Sequence, residues 1–351
     1  MPQHTDLNKE GARQPRYLQL LTLLAFHTFI SEEVDAAIFE VHNGGEYDAT
    51  NAIEKPVVTG MTSLGMDHVA RLGPIIETIA WLKAGILKPG APAFSATQEP
   101  GPAEVMRKRA LDKDTSLTFV STNDCLPTHG RVLSVPVQRL NCSLAALELI
   151  KAFLAEDIHC GVENFSLIGR FEIIDEGKLQ WFVDGAHNTL SLKKAAEWFA
   201  ENTSTPNEHK RRALIFSQLS SERDGVSLLR FLAQALFRNN VKPDHIIFTT
   251  YQEKGDKSIG KPSIEAPETS FHELCAMYCS VWKELDPQAT VTSDPTIERA
   301  VKLARQIGDR EDGMQALVTG SLHMVGGALR FLHPWLRPDR SACWFETMAK
   351  Q

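Results

Sequence analysis

Three observations predict an α/β protein with two domains built on parallel sheets. Short apolar runs alternate with helical patterns along nearly the whole chain, as parallel strands joined by covering helices require. The alternation runs through once before residue 160 and starts afresh near Phe165. The 351 residues, 43% of them hydrophobic, suffice for two cores. The expected organisation is a lead over 1–14, a first sheet domain over 15–160 and a complete doubly wound domain over 161–351.

The lead is polar and of mixed charge, without the apolar core of a signal peptide, and reads as disordered. Residues 17–31 are apolar on most sides and predict a largely buried helix. The stretch VDAAIFEVHNGGEYDATN follows (34–51). Its apolar part predicts a buried strand over 34–41, stopped by Asn43-Gly44-Gly45. Ligands bind beyond the carboxyl ends of parallel strands. A carboxylate there, Glu40, followed by a loop whose backbone comes close to a ligand, suits a cation and phosphates. A satisfied strand-end carboxylate with an ordinary turn fits the same residues. Strands follow at 56–63, 92–98 and 117–121, helices at 75–87 and 103–111, and one long helix at 138–155.

In the second series, strands are expected at 179–183, 213–216, 245–249, 289–292 and 316–319. Helices are expected at 191–200, 226–237, 271–284, 297–307 and 323–331. Residues 252–269, rich in Lys, Gly, Ser and Pro, read as a long surface loop.

The net charge of −7, with no basic block, argues against a nucleic-acid groove or an anionic membrane surface. The longest apolar segment, 18–30, is too short to span a bilayer. Six cysteines (Cys125, Cys142, Cys160, Cys275, Cys279, Cys343) are scattered without a CxxC pair, as in reduced proteins. Cys275 and Cys279 share one helix face, but a metal site needs two further ligands that nothing nearby supplies, so packing is the expectation. A cytoplasmic location is expected, and nothing in the residues rules out a mitochondrial isoform.

Eight stretches occur together and in order: EVHNGGEYDATN (40–51), TSLGMDHVARLG (62–73), IAWLKAGILK (79–88), QRLNCSLA (138–145), IGRFE (168–172), FVDGAHN (182–188), SERDG (221–225) and VTGSLHMVGG (318–327). They resemble the folylpolyglutamate synthase and dihydrofolate synthase family of the Mur-ligase superfamily, over nearly all of the chain from about residue 15. The resemblance implies a Mur-ligase-like central domain followed by a Rossmann-like C-terminal domain. It implies an ATP- and Mg2+-dependent ligase. The γ-carboxyl of a folate, or another carboxylic acid, is phosphorylated, and the amine of L-glutamate then attacks the acyl phosphate. Such chemistry needs cations on phosphate, donors around the triphosphate and exclusion of water.

Residue by residue, the resemblance makes Glu40 a magnesium carboxylate and His68 the ligand of a second magnesium. Imidazole is not a favoured magnesium ligand in general, so His68 rests on the resemblance alone. Lys83 matches a lysine that is carbamylated to a carboxylate-like group; otherwise it reads as a surface lysine. Gln138 and Asn141 match nucleotide contacts, and Arg170 an arginine that reaches the phosphates, a task suited to a permanently charged planar donor. Asp184 and His187 match nucleotide-contacting positions, with His187 also a catalytic candidate beside Lys83. A carboxylate at a strand end can meet ribose hydroxyls, although a bare Asp-Gly turn fits as well.

Three departures stand out. The family's central domain begins with a strand, a phosphate loop of GxxGKGS type and a helix, and no Gly-Lys-Ser or Gly-Lys-Thr occurs in these 351 residues. Gly260-Lys261-Pro262 has the wrong context. That piece supplies phosphate-cradling amides, a lysine and a magnesium-bound hydroxyl, and central strands whose loss exposes backbone donors. The first domain is therefore expected to be incomplete and prone to homo- or hetero-association through its sheet. His42 and Asn43 replace the Gly-Ile of the family's EVGIGG, and Val137 replaces a histidine. Three readings stay open: an active ligase, a pseudoenzyme that binds or pairs with a full-length partner, and a truncated homologue.

Overall fold

The computed structural model describes residues 14–124, 126–127, 133–149, 155–203, 210–220, 223–253 and 271–333. Residues 1–13 of the expected 1–14 lead, most of the 252–269 loop, Cys125 and Cys343 lie outside these residues. The chain divides into two compact units. One comprises Met1–Leu64, His68–Ser121 and Ser143–Lys151; the other comprises Gly65–Asp67, Thr122–Cys142 and Ala152–Gln351.

Unit 1 opens with helix α1 (Tyr17–Ser31), whose entry is tied by the Arg16 N–H donating to Gln19 Oε1 at 2.9 Å. The helix forms where expected but is not largely buried. Of its residues only Thr22 is buried, while Tyr17, Leu20, Leu23, Leu24 and Ile30 are each more than half exposed. A helix apolar all round needs neighbours on every side, and the described elements leave these residues more than half uncovered. The expected strand over 34–41 is absent as well. The segment is irregular, Ile38 is 88% exposed and Glu40 is exposed. A strand exists only against a partner, and the described sheet ends elsewhere. Phe39 instead packs on Phe26 and Phe29 of α1, with centroids 4.8 and 5.4 Å apart.

The sheet of unit 1 is β1 (Thr59–Met61), β2 (Ala93–Ala96) and β3 (Leu117–Val120), all parallel and in that order. Between the strands come α2 (Val69–Leu72), α3 (Ile76–Lys83) with a 3-10 extension (Ala84–Ile86), and α4 (Pro100–Asp112). Met61, Ala80, Ala84, Leu87, Ala93, Met106 and Ala110 form the core.

The segment 43–51 is clasped to the end of α3. Glu46 N donates to Leu82 O at 2.8 Å. Asn51 Nδ2 reaches Glu46 O and Gly85 O at 3.1 and 3.3 Å. Lys88 Nζ donates to Asn51 O at 3.0 Å. Asp48 accepts from Asn43 N and Thr50 N at 2.9 and 3.0 Å. Glu46 itself is neutralised by Arg109, with which it makes a short bond, and by Lys113 at 3.3 Å; Arg109 stacks over Trp81 at 4.1 Å. A Cβ on Gly45 would come within 2.7 Å of the Leu82 and Lys83 carbonyls, and one on Gly85 would overlap the Glu46 backbone.

The expected long helix over 138–155 is described as two: α5 (Pro136–Leu149), begun by a proline whose missing N–H costs nothing in a first turn, and α6 (Ala155–Asn164), which runs past the expected end. Residues 150–154 lie outside the described set.

Unit 2 then builds a six-stranded sheet in the order β4-β5-β9-β6-β7-β8. The strands are β4 (Glu172–Glu176), β5 (Leu179–Val183), β6 (Arg211–Phe216), β7 (His245–Phe248), β8 (Thr290–Ser293) and β9 (Met314–Thr319). The helices are α7 (Thr189–Thr203), α8 (Gly225–Arg238), α9 (Phe271–Leu285), α10 (Ile297–Arg310) and α11 (Leu322–Leu332). All neighbours are parallel except β4, an antiparallel edge strand that the sequence reading missed. Alternate residues feed two cores. Phe182, Leu214, Phe216, Ile246, Phe248 and Leu317 face α7, α8 and α9. Val183, Ile215, Ile247 and Val318 face α10 and α11. Cys275 is buried in the first core, where burial pushes its thiol up to about 12, so packing is its role. No described helix is long and apolar enough to cross a membrane.

The clasp generates a prediction. Gly85→Ala forces the Glu46 backbone off α3 and should lower the stability of unit 1 by about 1–3 kcal/mol, as overpacking does. Urea unfolding followed by Trp81 fluorescence measures it; an unchanged midpoint would show that the clasp is dispensable.

Candidate functional site

The chain order of unit 2 creates a switch point in its sheet. From β5 the chain crosses through α7 to β6, leaving a gap that β9, the last strand in sequence, later fills. Connections therefore diverge beyond the carboxyl ends of β5, β9 and β6, where open parallel sheets bind ligands. Asp184-Gly185-Ala186-His187 follow β5, Gly320-Ser321 follow β9, and Ser217-Gln218 follow β6.

Asp184 is 2% exposed. Its carboxylate accepts from Phe171 N at 3.0 Å and from the Ala186 backbone. Burial pushes its pKa up to about 6, against the opposing pull of Arg170, the two backbone donors and His187. Phe171 is held at φ 46°, a left-handed conformation that a bulky residue adopts only under constraint. A Cβ on Gly185 would strike Leu322 and stand 3.5 Å from Arg170 Nη1, so the guanidinium lies against this turn. Gly185 N in turn donates to Gly169 O at 3.0 Å.

His187 Nδ1 lies 2.8 Å from Gly185 O. A carbonyl only accepts, so Nδ1 carries a proton. His187 Nε2 stands 3.4 Å from Asp67 Oδ2. Asp67, counted in the same unit, also accepts from Asn188 Nδ2 at 3.0 Å and from Arg223 Nε and Nη2 at 3.0 and 2.8 Å. Asn188 Oδ1 accepts from Ser191 N at 2.9 Å and so starts α7. Ser321 caps α11 through His323 N at 3.2 Å. Two helix N-termini thus open at this edge, and such termini favour anions.

The structure therefore brings Arg170, Asp184 and His187 together. Gln138 and Asn141 lie one turn apart on α5, both half-buried, and Asn141 Oδ1 is buried without a hydrogen-bond partner among the described residues. Their neighbour Arg139 is structural, donating to the Asn123, Leu126 and Pro127 carbonyls. Glu40, His68 and Lys83 belong to unit 1, on three separate segments: the irregular run after α1, the left-handed start of α2 (φ 49°), and the last residue of α3. Among the described residues no three His, Cys, Asp or Glu side chains gather as an ion-binding group.

Sequence reasoning did not assign Asp67, Asn188 or Arg223. Each lies inside a quoted stretch, but only folding shows that one carboxylate gathers all three elements.

The dihydrofolate synthetase C-terminal domain model matches residues 168–331. Folylpolyglutamate synthase of Neurospora crassa is 35% identical over 348 residues, 92% of this chain and 65% of that protein. Folylpolyglutamate synthase of Saccharomyces cerevisiae (strain FostersO) is 34% identical over 339 residues, 90% of this chain and 61% of that protein. The chain thus spans somewhat under two thirds of the length of these relatives. A crystal structure of Mycobacterium tuberculosis folylpolyglutamate synthase, complexed with ADP and AMPPCP, shares the fold at TM-score 0.69 and 21% identity, covering 90% of this chain and 72% of that one. E. coli FolC in complex with DHPP and ADP does so at TM-score 0.68 and 23% identity, covering 93% and 73%. The sheet order, the ordered sequence motifs and these likenesses agree: over about nine tenths of its length the chain is similar to folylpolyglutamate synthases, and its residues 168–331 match the dihydrofolate synthetase C-terminal domain.

Proposed function

We propose that this chain acts in the ATP-dependent addition of L-glutamate to the γ-carboxyl of a folate. One carboxylate oxygen of the folate takes the terminal phosphoryl group of ATP, releasing ADP. The glutamate amine then attacks the acyl carbon, phosphate leaves with the electron pair of the C–O bond, and the amine loses a proton as the amide forms. The observation that carries the reading is Asp184. It is a nearly fully buried carboxylate at the strand-order switch, with Arg170 and His187 around it.

The residues of unit 2 fit a nucleotide. Asp184 keeps lone pairs beyond those used by its two backbone donors and can accept from ribose hydroxyls. Arg170 offers a planar fork to phosphate oxygens. The α7 and α11 N-termini add backbone N–H groups of the sign a phosphate needs. Asn141 Oδ1, buried and unpartnered among the described residues, has room for one ligand N–H. His187, with its Nδ1 proton fixed on Gly185, presents Nε2 toward Asp67 and is held rather than free to swing.

For magnesium the fit is thinner. A magnesium ion takes six oxygens in near-octahedral array, commonly one or two carboxylates with phosphates and water. Glu40 supplies one exposed carboxylate, and His68 an imidazole that the ion does not favour. They suit single ligands of a cation arriving with phosphates. Lys83, half-buried at the end of α3, is proposed as the carbamylated group, which intact mass at high bicarbonate would reveal.

Turnover tests the function. Purified chain should release ADP only when a folate and glutamate are both present, and Asp184→Asn should slow release on the order of a hundredfold, the scale for losing one well-placed electrostatic contact. No release above that variant's level would rule out independent catalysis.

Burial of Asp184 also fixes a pH dependence. Its folded pKa, about 6, lies above the unfolded value of 3.8, so the folded chain holds the proton more tightly between these values. Stability from this group is present below about pH 4 and lost as pH rises to about 6, by roughly 3 kcal/mol if the full shift is realised. Urea unfolding of wild type against Asp184→Asn should show wild type losing ground over pH 4–6, and parallel curves would refute the burial argument.

A further inference from the structure

We propose that Gln218 is a positioning residue that fixes the Gly320-Ser321 turn and, through it, the Asp184 loop; the nucleotide consequence rests on the ligase reading above. Gln218 is 3% exposed, in the loop after β6. Its Nε2 donates to Gly320 O at 2.9 Å. Its Oε1 accepts from Ser220 N at 3.0 Å and from the Tyr251 hydroxyl at 3.1 Å. The Ser220 N–H can only donate, so the amide cannot be turned round. Its own carbonyl accepts from the buried Tyr278 hydroxyl at 2.6 Å. One side chain therefore joins the strand ends of β6, β7 and β9.

The chain of bonds continues toward the site. Gly320 N donates to Ala186 O at 3.0 Å, and the Ala186 backbone donates to the Asp184 carboxylate. Gly320 stands at φ 111°, and a Cβ there would meet the Phe216 ring at 2.7 Å and Ser217 O at 2.8 Å. The turn is thus pressed flat on β6, with the Gln218 amide holding its carbonyl. Removing that donor leaves a buried carbonyl without its partner, so the turn moves to find one.

The test uses the full chain and three variants. Gln218→Met removes both polar ends at similar length, and Gln218→Glu keeps an acceptor for Tyr251 but sets an oxygen against Gly320 O. Tyr251→Phe leaves the Gln218–Gly320 bond in place. Amide hydrogen exchange at Gly320 and Ala186 should quicken about tenfold in both Gln218 variants, with β8 amides unchanged. ADP, measured by calorimetry, should bind about tenfold more weakly, while Tyr251→Phe stays near wild type in both readouts. Unchanged exchange at Gly320 and Ala186, or acceleration spread evenly over the sheet, overturns the proposal. If wild type fails to bind ADP, the ligase reading falls, and local exchange alone decides the role of Gln218.

Discussion

The constraint on which unit 2 depends is that its last strand must fit between its earlier ones. β9 pairs with β5 on one side and β6 on the other, so the sheet is incomplete until nearly the whole unit has been threaded. The gap it fills is buried on both faces by helices, which explains the unbroken burial of Met314–Thr319. It also forces the loops after β5 and β6 apart, and that separation makes the switch point. Fold and site thus follow from one feature of chain order. The loop ends do not hold their places by sequence proximity, which is why backbone-to-backbone bonds such as Gly320 N to Ala186 O recur there.

Unit 1 shows how a family motif divides between structure and chemistry. Gly45, Glu46, Asp48 and Asn51 are consumed by local bonds that lash 43–51 to the end of α3. Their presence therefore speaks for the clasp and is silent about cations. Glu40 lies outside the clasp, exposed on an irregular run. The Gly pair that suggested a phosphate platform from sequence has different reasons: α3 passes too close to Gly45 for any side chain, and Gly44 stands at φ 79° against Leu72.

Unit 2 was legible because its strands are short, apolar and bounded by turn residues. β5 was read to the residue, and β6 to β9 to within a few. β4 escaped because Glu172, Asp175 and Glu176 make it polar, as an edge strand tends to be. The strand over 34–41 was misread because an apolar run records only a wish for burial, whereas a strand needs a partner that local sequence cannot supply. The burial of α1 failed on the same ground. Arg170, Asp184 and His187 were singled out through motifs. Asp67 and Gln218 were not, because their roles consist of bonds across 156 and 102 residues of chain.

Two carboxylates decide where chemistry belongs. Glu46 meets Arg109 and Lys113, so its charge is matched and its position is explained by packing alone. Asp184 is more deeply buried, yet receives backbone donors and the partial influence of one guanidinium, and its pKa remains raised. A structural carboxylate under such burial would be expected to gain a full ion pair or to be replaced by a neutral residue, since either lowers the desolvation cost. Asp184 has neither, and its neighbour Phe171 is strained in donating to it. Residual cost and local strain at one strand end are what a group kept for binding would show. The balance of the two carboxylates thus favours the end of β5, rather than the clasp of unit 1, as the candidate site.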